Sequence, residues 1–298
     1  MSNKIGVIGI GNMGKPMAAN LIKNGYQVYV SSAHGNEKAA EELKSLGATV
    51  FSTINEINRT ADIIITVLPA DAQVMSVYCG DGGIVDTVCD NAVCIDMTSC
   101  RGDTIKAVAA KAAEKGKNIR FVDAPVSGGV AGAEAGTLTI MAGCEQADFE
   151  LVKPVLEAMG KKIFYTGGLG SGKDIKMLNQ LLNAGNTIVA SEVLFLAKKL
   201  GIDLDLFMNV INESTGASWV FKNNVPKFMI PESYEGGFRL DLMKKDVGLA
   251  VEQINSDKLC MPVTSMIYQI FQAMSNNGYD TQNYNAVSEW IKKLNRPL

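Results

Sequence analysis

The chain has a single histidine, His34, among 298 residues, and that scarcity excludes several chemistries. A histidine-based catalytic triad needs the imidazole beside a nucleophile, and an HExxH zinc site needs two histidines. Proton transfer therefore falls to lysine, carboxylate, tyrosine or cysteine. Neither sign of charge dominates, with 28 Lys and Arg against 31 Asp and Glu. The formal net charge is −3, which gives no electrostatic case for nucleic acid or an anionic membrane. No apolar run reaches the roughly 18 residues that suggest a membrane span. The six cysteines, Cys79, Cys89, Cys94, Cys100, Cys144 and Cys260, form no CxxC pair. Disulfide and zinc frameworks want closer, regular spacing, so reduced structural thiols and no metal are expected. The segment "MSNKIGVIGI" lacks the length and cleavage pattern of a signal peptide, and a cytoplasmic protein is expected.

What is present reads as globular: 47% hydrophobic and 20% charged residues. The first half alternates. "KIGVIGI", "QVYV", "DIIITVLP", "NAVCIDMTS", "RFVDAP", "TLTIMAG" and "KKIFYTG" are short apolar runs that predict strands. "GNMGKPMAANLIKNG", "NEKAAEELKSLG", "DTIKAVAAKAAEKG" and "QADFELVKPVLEAMG" carry apolar residues at helical spacing. This alternation predicts an α/β fold with a doubly wound, largely parallel sheet. From Gly167 onward no run predicts a strand. "LDLFMNVINEST", "LDLMKKDVGLAVEQINS" and "PVTSMIYQIFQAMSNNG" predict helices. A Rossmann-type domain over residues 1–166 and an all-helical domain over 167–298, joined by a long helix, is the expected architecture.

That helix follows a glycine turn in "GLGSGKDIKMLNQLLNAGN". Ile175, Leu178, Leu181, Leu182 and Ala184 recur at helical spacing, and a buried hinge helix is expected. Lys176, Asn179, Gln180 and Asn183 also recur at steps of three and four, forming a polar stripe. A lysine snorkelling from a helix start needs no such row of amides.

"VIGIGNMG" places Gly9, Ile10, Gly11, Asn12, Met13 and Gly14 between a strand and a helix. Gly9 allows the tight turn, Gly11 lets a pyrophosphate approach the backbone, and Gly14 lets helix and strand pack closely. The helix N-terminus offers N–H groups to phosphate. In this setting the loop predicts dinucleotide binding. The next strand runs into "VYVSSAHGNEK", so Ser31 and Ser32 stand where a carboxylate would read the ribose of NAD. With no carboxylate to repel a 2′-phosphate, NADP is favoured over NAD. A third loop, "DAPVSGG", offers the Ser127 hydroxyl and the unhindered amides of Gly128 and Gly129, which suit a carboxylate.

With "GVIGIGNMGKPMAANL", "VLPADAQV", "DAPVSGGVAGAEAGTLTIMAG", "GLGSGKDIKMLNQ" and "FRLDLMKKDVGLA" in this order, the chain resembles the β-hydroxyacid dehydrogenases nearly end to end. That family includes 3-hydroxyisobutyrate dehydrogenase and tartronate semialdehyde reductase. The resemblance implies that Lys176 is the catalytic acid/base and that Asn179 orients it or the substrate. Many relatives have asparagine where this chain has Gln180, which leaves the division of labour between Asn179 and Gln180 open; Gln180 is placed with the substrate. Ser127, Gly128 and Gly129 would hold the substrate carboxylate, and Phe238 would wall its pocket. Leu68, Pro69, Val74, Thr98 and Lys245 would touch the cofactor, with Asp246 beside Lys245. Selectivity is sought at Arg101, Trp219, Phe238 and Arg239. Cys100 departs from the usual aliphatic residue. The relatives pair through the helical domain, so a homodimer or homotetramer is expected.

The implied reaction is hydride transfer between a nicotinamide cofactor and a small β-hydroxyacid. A free lysine, with a pKa of about 10.4, is a poor base near neutrality. Burial and a positively charged oxidised nicotinamide would lower that value. Same-fold imine reductases usually lack the lysine, and sugar-acid decarboxylating dehydrogenases usually carry a longer helical domain. A non-catalytic cofactor-binding module would have little reason to keep glycine loop, lysine and Ser-Gly-Gly loop together.

Overall fold

β-branched residues crowd the short apolar runs of the first half, and their stiff side chains suit a pleated surface. In the computed structural model, which describes residues 3–33 and 35–295, these runs form strands. The described residues fall into two compact units, one ending at Lys176 and the other beginning at Met177. The first unit holds strands β1 (Lys4–Ile8), β2 (Gln27–Ser31), β3 (Thr49–Phe51), β4 (Ile63–Thr66), β5 (Val93–Asp96), β6 (Arg120–Asp123), β7 (Val126–Ser127), β8 (Leu138–Gly143) and β9 (Gly160–Gly167). Its helices are α1 (Gly14–Lys23), α2 (Glu37–Ser45), α3 (Ile54–Thr60), α4 (Asp71–Cys79), α5 (Ile84–Thr87), α6 (Gly102–Glu114), α7 (Gly129–Ala135) and α8 (Gln146–Glu157).

The sheet order is β3-β2-β1-β4-β5-β6-β8-β7, with β9 against β8. Neighbours from β3 to β6 are parallel. β8 runs antiparallel to β6 and β7, and parallel to β9. The chain order reverses between β1 and β4, where open α/β sheets form a ligand crevice at the carboxyl ends of their strands. Alternate residues feed two apolar layers. Val7, Val30, Ile65, Ile95 and Val122 pack with Met17, Leu21 and Val152 on one side. Ile8, Ile64, Cys94 and Phe121 pack with Tyr78, Ile105 and Val108 on the other. Val74 sits in that second layer and is fully buried. It therefore supports the crevice from within the core and is not in a position to flank an adenine.

α9 (Ser171–Lys199) begins in the first unit and continues into the second. The second unit adds α10 (Leu204–Asn212), α11 (Trp219–Asn224), α12 (Leu240–Ser256), α13 (Pro262–Asn276) and α14 (Val287–Leu294). Among the described residues its extended pairing is one bridge, Arg239 with Asn283. Ile188, Met243, Val247, Phe271, Met274 and Val287 form its main core.

α9 reverses one expectation. Leu178, Leu182, Val189, Leu196 and Leu200 are each more than half exposed. The buried face instead carries Lys173, Lys176, Gln180, Ala184, Thr187, Ser191 and Leu194. Thr187 and Ser191 are accommodated because each hydroxyl donates to a carbonyl four residues back, on Asn183 and Thr187. Helical spacing alone does not tell which stripe turns inward.

Candidate active site

The glycine loop is shaped by backbone contacts. Gly9 has φ +94°, and a Cβ there would lie 2.1 Å from the Val67 carbonyl oxygen. A Cβ on Gly14 would lie 1.9 Å from the Gly9 carbonyl oxygen. Gly11 differs, because a Cβ there meets nothing within 4 Å. The open space lies beside the start of α1, where Met13 gives no side-chain cap and the first turn holds no acidic residue. Uncapped amides beside an unobstructed glycine fit a pyrophosphate. Ile10 is buried, so its side chain serves the core, whereas Asn12 is exposed and Met13 half-buried against the core. Beyond β2, Ser31 Oγ accepts from the Ala33 amide at 3.1 Å, and Ser32 Oγ donates to the Phe51 carbonyl at 3.5 Å. His34 lies outside the described residues.

At the carboxyl ends of β4 and β5 a buried polar network replaces the apolar core. Asp96 Oδ1 accepts from Thr66 Oγ1 at 2.6 Å and Thr98 Oγ1 at 2.7 Å. Thr98 Oγ1 in turn accepts from the Leu68 amide at 2.9 Å. Lys173 Nζ donates to Asp96 Oδ2 at 2.6 Å and to the Thr98 carbonyl at 2.8 Å. Both side chains of this ion pair are fully buried. Burial alone would lower the Lys173 pKa, but Asp96 together with Cys100 and Asp123 outweighs it and the net direction is upward. Removing one member of such a pair typically costs about 3–5 kcal/mol, because the other charge stays buried.

The hydroxyl of Thr98 is thus committed inside the protein, to Asp96 and to the Leu68 amide. Cys100 is also buried, and burial pushes its thiol up to about 12. Cys100 is a core residue.

Asp123 closes the same region from β6. Its carboxylate accepts from the Gly170 amide at 2.5 Å and the Lys173 amide at 2.8 Å, satisfying donors at the start of α9. Burial raises its pKa to about 6 against the pull of these bonds. These anchors hold the first turns of α9 in the first unit, which runs through Lys176. Ser127 ends β7 and is half-buried. Gly128 (φ +136°) and Gly129 (φ +62°) follow in the region that favours glycine. Lys176 lies one turn beyond Lys173 on the buried face of α9 and is 7% exposed.

The second unit arranges its residues separately. Asn179 Nδ2 donates to Gln180 Oε1 at 3.3 Å, and Gln180 Nε2 donates to Asp246 Oδ2 at 2.7 Å. Lys245 Nζ lies 2.9 Å from Asp246 Oδ1. Gln180 is therefore engaged with α12. Phe238 packs edge-on against Tyr284, Arg239 pairs with Asp241, and Trp219 is largely exposed. Lys173, Asp96 and Asp123 were not singled out from the sequence. One signal was available: Lys173 precedes Lys176 by three residues and so shares its helix face. Among the described residues there is no metal-binding cluster and no helix long and apolar enough to cross a membrane.

A Rossmann-type sheet with this glycine loop at its switch point marks a dinucleotide-binding protein. Residues 4–167 match the NAD binding domain of 6-phosphogluconate dehydrogenase. Residues 170–291 match the NAD-binding domain of NADP-dependent 3-hydroxyisobutyrate dehydrogenase. The chain is 39% identical to 2-(hydroxymethyl)glutarate dehydrogenase of Eubacterium barkeri, over 96% of this chain and 94% of that one. It is 37% identical to the mitochondrial 3-hydroxyisobutyrate dehydrogenase of Drosophila melanogaster, over 98% and 90%. A structure of Mycobacterium tuberculosis 3-hydroxyisobutyrate dehydrogenase with L-serine superposes with TM-score 0.89 at 31% identity, covering 98% of this chain and all of that one. An imine reductase from Myxococcus stipitatus, at 15% identity and TM-score 0.64, shares the fold alone. The chain belongs to the β-hydroxyacid dehydrogenase family. It is an NAD(P)-dependent enzyme interconverting a small hydroxyacid and its semialdehyde or keto acid.

Proposed function

We propose that Lys176 is the acid/base of this reaction and that Ser127, Gly128 and Gly129 hold the substrate carboxylate. The observation that carries the reading is Lys176 itself: a lysine 7% exposed on the inward face of a helix whose Leu178, Leu182 and Leu196 point out. A bound nicotinamide dinucleotide supplies the hydride acceptor or donor. Gly9, Gly11 and Gly14, with the backbone of Ile10, Asn12 and Met13, hold its pyrophosphate, and the Leu68–Pro69 turn backs it. Lys176 takes the hydroxyl proton in oxidation and returns it in reduction. From the second unit we assign Asn179 to orienting the lysine or substrate, Phe238 to the substrate and Lys245 to the cofactor. We assign Gln180 to the substrate as well, with its Nε2 held by Asp246. We take 3-hydroxyisobutyrate and 2-(hydroxymethyl)glutarate, named by the relatives, as first substrates to test. Absorbance assays of a panel of short hydroxyacids with each cofactor check this: turnover of one or more supports it, and turnover of imines alone overturns it.

We infer a preference for NADP from Ser31 and Ser32. Ser32→Asp puts a carboxylate against a 2′-phosphate, and its expected effect is a shift toward NAD of about tenfold, or 1.4 kcal/mol. Strong NAD preference in the wild type would overturn the inference. We also propose a homodimer or homotetramer. The exposed row Leu178, Leu182, Val189, Val193, Leu196 and Leu200 follows steps of three, four and seven along one helix face, the spacing of a helix-pairing seam. A second copy of this chain is the occupant that spacing suits. Light scattering is expected to give a dimer or larger, and Leu182→Glu with Leu196→Glu to dissociate it. A wild-type monomer at micromolar concentration would contradict this.

A further inference from the structure

We propose that Lys173 is a positioning residue for the hydride-transfer site, tying the helix that carries Lys176 to the two strand ends that back the cofactor. Three observations carry this. The Lys173 ammonium reaches Asp96 Oδ2 and the Thr98 carbonyl, so one side chain on α9 grips the end of β5 by a side chain and by the backbone. Asp96 passes the constraint on, because its other oxygen holds Thr98 Oγ1, which accepts from the Leu68 amide beyond β4. The Lys173 backbone amide is itself fixed by Asp123 from β6. Strands β4, β5 and β6 thus converge on one residue a single turn before Lys176.

A buried ion pair could serve the fold alone, and an apolar pair often serves it equally well. The arrangement here does more than neutralise charge. The Thr98 carbonyl needs no ion, yet it takes a second bond from the same ammonium. Rigid neighbours of this kind hold reacting groups within the narrow range that transfer requires. The inference rests on the reading of Lys176 as acid/base, and its first readout is independent of that reading.

The test compares wild type, Lys173→Met and the charge-neutral Lys173→Met/Asp96→Asn pair. Hydrogen exchange is measured on the cofactor-free protein. Exchange across residues 98–101 and 171–176 is expected to quicken about tenfold or more in both variants, since methionine donates no bond. With cofactor and a hydroxyacid turned over by the wild type, kcat is expected to fall roughly ten- to hundredfold. The cofactor dissociation constant is expected to stay within a few-fold, because the glycine loop is untouched. Should Lys173→Met fail to fold, the pair carries the test, since it leaves no charge buried alone. Wild-type kcat in the paired variant, whatever its exchange, would overturn the proposal and leave Lys173 a purely structural ion partner. Failure of the Lys176 reading would appear separately, as full activity in a Lys176 variant.

Discussion

Lys176→Ala is expected to lower kcat by roughly two to four orders of magnitude, the usual worth of a positioned acid/base. Cofactor affinity should stay nearly intact, because the glycine loop lies on other elements. Lys176→Arg should fail almost as badly. Guanidinium stays protonated at neutral pH and cannot take a proton from the substrate hydroxyl. Ser127→Ala provides the contrast. If its hydroxyl holds the carboxylate in ground and transition states alike, KM rises more than kcat falls. Steady-state kinetics with fluorescence titration of the cofactor separates these outcomes. Activity in Lys176→Ala within a few-fold of wild type would remove the lysine from the mechanism. The inward stripe of α9 would then be a structural polar network.

A second large effect is expected in the glycine loop, where two glycines of one motif should respond differently. An alanine Cβ at Gly14 would meet the Gly9 carbonyl at 1.9 Å. Backbone cannot rotate away as a side chain can, so strand and helix must separate. Overpacking of this kind costs about 3 kcal/mol, and the thermal midpoint should fall on the order of 10 °C. Cofactor binding should be lost with it. At Gly11 the same methyl meets nothing in the protein. Gly11→Ala should therefore keep the wild-type midpoint and lose cofactor affinity by about tenfold or more, or 1.4 kcal/mol. Calorimetry with cofactor titration checks the pair. Equal melting losses in both variants, or unchanged affinity in Gly11→Ala, would contradict a phosphate cradle at this loop.

Most of the first unit is legible in the sequence because a parallel sheet announces itself. Buried strands such as "DIIITVLP" are nearly continuous β-branched runs, and helices between them end at glycine. β3 and β7 escape because two or three residues carry no period. α9 is legible as a helix but not in its orientation. Its leucines and its amides are both helically spaced, and the inward choice is made by Asp96, Asp123 and Asp246, which lie far away in sequence. The same long-range partners hide Lys173, whose importance comes from residues 77 and 50 positions distant. Val74, assigned to the cofactor, marks the opposite error, and Cys100 is buried in the same way. Each stands beside a functional motif, yet its side chain turns into the core, and position along the chain alone does not give that direction.

Direct transfer of hydrogen between substrate and cofactor is the central claim, and isotope transfer tests it most directly. The hydroxyacid of the panel that the wild type turns over is prepared with deuterium on its carbinol carbon. It is then oxidised by the wild type, and the reduced cofactor is weighed by mass spectrometry. The account predicts one deuterium in each reduced cofactor, with slower turnover where transfer limits the rate. Reduced cofactor free of deuterium, its label lost to water or kept in the product, would contradict hydride transfer from the carbinol carbon.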